Sequence, residues 1–174
     1  VNVTLIFSVS RYRQVCEAFL DGLEAAADNG KDLSTIHSVA SFFVSRVDTE
    51  VDKRLEKLGE TELQGQAALA NARLAYVAFE ETLLTNPRWE KLRAKGAHIQ
   101  RPLWASTSVK NPDYPDTLYV DALAGPRTVN TMPEATLDAV IDHSEADEDL
   151  LSDKKMQAEI VFQQLDDVGV DLGD

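Results

Sequence analysis

Apolar residues along this chain follow two rhythms. Residues 1–7 (VNVTLIF) and 36–43 (IHSVASFF) are short, rich in β-branched and aromatic side chains and flanked by polar stretches, which predicts buried strands. Between them Val15, Phe19, Leu20 and Leu23 recur at helical spacing, with Ser8 or Ser10 placed to cap the helix and Asn29-Gly30 placed to stop it. Beyond the second strand, 48–59 is polar and helical, and 61–84 predicts one long amphipathic helix offering Leu63, Ala67, Leu74, Val77 and Phe79 to a core. Asn86-Pro87 opens another helix that turns Trp89 and Leu92 inward. A third strand is expected at 102–105, then a loop at 110–116 with two prolines. A short helix or strand at 117–123 and an extended piece at 126–131 follow. Met132-Pro133-Glu134 starts a helix reaching about His143, and 144–149 is acidic and loop-like. The last helix is expected over 152–168, with Met156, Ile160, Phe162 and Leu165 as core residues, before a final loop at 169–174.

Strands alternating with helices predict an α/β fold with parallel strands joined by right-handed crossovers. An open doubly wound sheet and a barrel both satisfy that order. Neither a Gly-x-Gly-x-x-Gly nor a Walker loop is present, which argues against dinucleotide and P-loop folds. With 174 residues, 44% of them hydrophobic, the chain can build one domain with a real core. The formal net charge of −13 argues against nucleic acid or an anionic membrane as partner, so a phosphate would need a local cluster of donors. No apolar run approaches the ~20 residues of a membrane span, and no signal peptide is visible. The single cysteine, Cys16, excludes an internal disulfide, fits a reducing, cytoplasmic setting, and reads as a buried structural thiol. The chain opens on Val1 rather than Met, so either its N-terminus was processed or it belongs to something longer.

In alternating architectures chemistry collects where strands run out into loops. Asn2 and Thr4, two apart, share one face of the first strand. The second strand runs out through Ser41-Phe42-Phe43-Val44-Ser45-Arg46, the third through Ser106-Thr107-Ser108-Val109-Lys110, and the fourth region offers Asn130-Thr131. Hydroxyls, amides, one Arg and one Lys converging at one rim suit a polyhydroxylated, phosphorylated ligand, because Arg grips phosphate bidentately. Plainer readings stand beside these: Arg46 as a surface residue of a helix start, Lys110 as a solvated loop lysine. His37, His98 and His143 are too scattered to predict a metal site, no nucleophile elbow is present, and no cofactor is expected.

The segments Asn2-x-Thr4-Leu5-Ile6-Phe7-Ser8 and Ser41-x-Phe43-Val44-x-Arg46-Val47-Asp48 resemble the transaldolase pattern around the fifth and sixth barrel strands. Trp104-Ala105-Ser106-Thr107 is similar to the seventh, and Thr117-Leu118-Tyr119-Val120 with Asn130-Thr131-Met132-Pro133 to the region of the eighth. The resemblance spans essentially the whole chain, is most specific over 37–54, and favours the longer bacterial form. It implies a portion of a TIM (β/α)8 barrel, roughly strands 5 to 8. It also implies an enzyme that moves a dihydroxyacetone unit from sedoheptulose 7-phosphate to glyceraldehyde 3-phosphate through a lysine Schiff base, in the pentose phosphate pathway. By position, Asn2 would hydrogen-bond the bound intermediate and Thr4 would position the catalytic water. Ser41 would bind a substrate hydroxyl, Phe43 would wall the pocket, and Arg46 and Ser106 would hold phosphate. Many family members carry a second phosphate-binding Arg where this chain has Ser108, and Lys110 could supply the charge from two residues on.

The family's Schiff-base lysine lies on the fourth strand and its acidic helpers on the first and third, none of which this sequence contains. The resemblance therefore implies about half of a barrel, with the N-terminal half and the last helix absent, inactive alone, and with that other half as its partner beside sugar phosphates. The alternative is a non-catalytic half-barrel that binds sugar phosphate or self-associates.

Overall fold

A computed structural model describes residues 1–146 and 149–173; part of the acidic stretch 144–149 therefore lies outside the described residues. Four strands, β1 (Asn2–Ile6), β2 (Val39–Phe43), β3 (Arg101–Ala105) and β4 (Val129–Asn130), form one parallel sheet in the order β1-β2-β3-β4. The helices are α1 (Val9–Asp28), α2 (Ser45–Leu58), α3 (Ala67–Phe79), α4 (Pro87–Ala94), α5 (Leu118–Ala122), α6 (Glu134–His143) and α7 (Lys155–Asp167). Sequential strand order with no reversal is how a (β/α) barrel is built and leaves no switch point of a doubly wound sheet among the described strands.

The helix layer covers one face of the sheet. Ala40, Phe42 and Trp104 point into it and are at most 1% exposed. Phe42 meets Tyr12 and Trp104 edge-on at 5.9 and 6.2 Å, and the Trp104 indole N–H donates to the Leu123 carbonyl. Ser8 caps α1 by accepting from the Arg11 N–H, and Asn29-Gly30 ends it with Gly30 at positive φ. The buried stripe of α1 is Val9, Tyr12, Cys16, Leu20 and Leu23. Val15 and Phe19 instead flank it and line an open apolar groove with Val1, Val3 and Ile36 beside β1. Burial pushes the Cys16 thiol up to about 12, so it is an inert core group.

Four expectations change. β1 is buried only in part: Ile6 is 1% exposed and Val3 packs on the core, but Asn2 and Thr4 are exposed and Leu5, at φ +61 in the bulge, is 61% exposed. The second strand begins at Val39, after a short 3-10 turn at Leu33–Thr35. The helix expected over 61–84 breaks into a 3-10 turn (Thr61–Leu63), α3, and a wide π turn (Glu80–Leu84). Gly65, at φ +73, reverses the chain before α3, and a Cβ there would sit 2.9 Å from the Tyr114 ring. On α7, Leu165 and Ala158 dock against the rest of the chain, whereas Met156 (72%) and Ile160 (51%) face outward. That helix carries two apolar stripes, and only one meets α3. Among the described residues no helix is long and apolar enough to cross a membrane.

Candidate functional site

Beyond their last paired residues, β2 and β3 stay joined. The Val44 N–H donates to the Ala105 carbonyl at 3.0 Å, and the Ser45 N–H to the Ser106 carbonyl at 2.9 Å. The two serine hydroxyls meet at 2.9 Å. Ser106 takes φ +57, a left-handed geometry that non-glycine residues hold only under local constraint. The first turn of α2 is thereby fixed against the end of β3. This sets Arg46 on the rim, its guanidinium 5.0 Å over the Phe43 ring, which in turn packs on Phe7 at 5.1 Å. Among the described residues no carboxylate pairs with Arg46. A cleft of about 280 Å3 opens beside it, walled by Phe7, Val47 and Asn71 and bordered by Arg54 and the carboxylates of Glu50 and Asp171; Ser106, Ser108 and Lys110 are not among its lining residues. Asn71 holds the post-β1 backbone by donating to the Phe7 carbonyl.

Ser108 and Lys110 lie on the loop after β3, and the Lys110 ammonium donates to the Ser108 hydroxyl at 2.7 Å. Thr107 between Ser106 and Ser108 is buried and spends its hydroxyl on Asn130 and the Thr131 carbonyl, tying β3 to β4. Ser41 and Phe43 share the concave face of β2, and register places Asn2 opposite Val39 on that same face. Asn2 and Thr4 thus lie down the wall, not on the rim, and both are exposed. A bulge between Val3 and Ile6, with Leu5 at φ +61, bends β1 just above Thr4. At the opposite end Asn2 borders a cleft with His37, His98 and Arg101, in which the two imidazoles stack at 4.4 Å. His143 lies elsewhere, against Asp116 and Asp142. No group of three metal-binding side chains forms among the described residues.

Behind the rim sits a buried carboxylate, part of the family-like segment 41–48, to which the sequence assigns no role. Asp48, 2% exposed, accepts from the Ala68 N–H and the Tyr119 hydroxyl, both at 2.7 Å. Burial pushes it up to about 6 despite those two donors. Ser45 and Asn71 were likewise not singled out as site residues; an Asn inside the alanine-rich run of α3 was the available signal.

The family model for transaldolase/fructose-6-phosphate aldolase matches residues 1–174. A transaldolase of Mycobacterium ulcerans is 59% identical across all of this chain, which covers 48% of that protein. Those of Mycobacterium tuberculosis (58% identical, 48% of its length) and Mycobacterium leprae (60%, 47%) match in the same way. The chain spans about half the length of the curated relatives it matches.

Proposed function

The chain belongs to the transaldolase family, whose fold is a TIM barrel, and from that premise we propose that it forms the C-terminal half of such a barrel in an active transaldolase. The whole enzyme transfers a dihydroxyacetone unit from sedoheptulose 7-phosphate to glyceraldehyde 3-phosphate through a lysine Schiff base, as a step of the pentose phosphate pathway in the cytoplasm. This half contributes the hydroxyl- and phosphate-binding wall: Asn2 and Thr4 toward the intermediate and its water, Ser41 and Phe43 toward the sugar, and Arg46 and Ser106 toward phosphate. Ser108 and Lys110 add donors where a second Arg stands in many relatives.

One observation carries this reading: the family match runs through every strand end on which these residues stand. Arg46 suits the role physically, since among the described residues no carboxylate pairs with it and its guanidinium lies 5.0 Å from the Phe43 ring centre, leaving its N–H donors for a bidentate grip. The amine that forms the imine belongs to the other half, and without that covalent step the carbanion barrier stays high. Lys110, hydrogen-bonded to Ser108 on the β3 loop, stands on a different strand from the family's amine.

A transfer assay tests the division of labour. The chain alone is expected to show no dihydroxyacetone transfer, while the full-length protein turns over; clear transfer by the chain alone would contradict it. A second reading, a non-catalytic half-barrel that pairs with a copy of itself, is favoured by the open concave face and the unpaired edge of β1. A well-folded dimer on sizing would support that reading.

A further inference from the structure

The loop after β3 carries Ser106, Ser108 and Lys110, and it is fastened to α2 at both ends. Its start is held by the paired Ser45 and Ser106 groups. Its far end is held by two tyrosines reaching two carboxylates one turn apart on α2. The Tyr114 hydroxyl donates to Asp52 at 2.8 Å, and the Tyr119 hydroxyl to Asp48 at 2.7 Å. Each carboxylate has a second oxygen, and both spare oxygens bind the start of α3. Asp52 accepts from the Gly65 N–H at 3.0 Å and Asp48 from the Ala68 N–H at 2.7 Å. The Asp52 carbonyl also accepts from the Gln64 side chain. Gly65 leaves room for the Tyr114 ring, which no side chain with a Cβ would do without movement.

Arg46 sits on the same helix, six residues before Asp52. The Ser45–Ser106 bonds fix Ser106 beside Arg46, and the tyrosine–aspartate contacts hold the far side of the same loop, so together they bracket Ser108 and Lys110 relative to the Arg46 guanidinium. We propose that Asp48 and Asp52, through Tyr119 and Tyr114, are positioning residues that hold Ser108 and Lys110, the donors on the far side of the rim, at a set distance from Arg46. None of the four touches the rim cleft. The proposal rests on the phosphate role assigned above to Arg46 and Ser106. It predicts that loosening the clamp weakens recognition of phosphate and spares the steps at the carbonyl.

The test uses the full-length protein with Tyr114→Phe, which keeps the ring over Gly65 and removes one hydroxyl, and with Tyr119→Phe as second variant. With unphosphorylated glyceraldehyde as acceptor throughout, the expected result is a rise of about fivefold or more in KM for fructose 6-phosphate, with kcat within about twofold and unchanged kcat/KM for unphosphorylated dihydroxyacetone as donor. Equal losses on both donors in both variants would reduce the clamp to a folding element and overturn the proposal, as would no change in either. Arg46→Ala is measured in parallel. If it discriminates between the two donors while the tyrosine variants do not, the clamp alone fails. If Arg46→Ala does not discriminate, the phosphate reading of the rim fails.

Discussion

The two faces of the sheet obey different rules. On the helix-covered face Ala40, Phe42 and Trp104 are sealed, their aromatic edges interlocked and the one indole N–H satisfied. On the concave face Asn2, Thr4 and Arg101 are exposed although Ser41, Leu103 and Ala105 are buried, and among the described residues one edge of β1 has no strand partner. The first face closes within this chain; the second carries Asn2, Thr4 and Arg101 as exposed polar side chains. If the proposed roles of Asn2 and Thr4 hold, stability and chemistry are drawn from opposite faces of one sheet.

The comparison breaks most visibly at its covered side. Trp104→Ala removes a side chain 1% exposed from the centre of the core, and denaturant unfolding should register a loss of about 3–5 kcal/mol. Next comes Gly65→Ala, which puts a Cβ at φ +73 and 2.9 Å from Tyr114. A loss of about 2 kcal/mol is expected in the same measurement, and no loss would mean that the Tyr114 contact is dispensable.

A smaller, pH-dependent effect belongs to the helix layer behind the rim. Because burial holds Asp48 at about 6 rather than near 3.8, the folded chain binds a proton that the unfolded chain has already released. The favourable contribution of this group is complete below about pH 4 and is lost as pH rises through about 6. Denaturation midpoints taken across that window should fall with rising pH more steeply than in Asp48→Asn. Parallel slopes would place Asp48 in a wetter setting. Smallest on stability are Asn2→Ala and Thr4→Ala, each expected within about 0.5 kcal/mol of the parent by denaturation. In the full-length protein the same two changes should cut kcat about tenfold or more, a split between stability and turnover that sharpens the distinction between the faces.

Much of the covered side was legible in residue order. Ser8 and Asn29-Gly30 bracket α1, Pro87 opens α4, and the 102–105 strand falls within β3. Local chemistry fixes such points, so local patterns reveal them. What depends on tertiary partners was not legible. Met156 and Ile160 keep helical spacing, yet which stripe of α7 docks is decided by α3. The break before α3 was signalled only by Gly65, whose purpose emerges when Tyr114 lies over it. At the site, Arg46, Ser106, Ser108 and Lys110 stand at strand ends as their order implies, while Asn2 and Thr4 lie deeper on the wall. The Asp48–Tyr119 bond joins residues far apart in sequence, and no spacing rule could pair them.

Borohydride reduction in the presence of fructose 6-phosphate, read by mass spectrometry, tests the central claim most directly. The account predicts no covalent adduct on any lysine of this chain when it is treated alone. In the full-length protein it predicts one adduct on a lysine outside residues 1–174. A reduced adduct on Lys110 would contradict it.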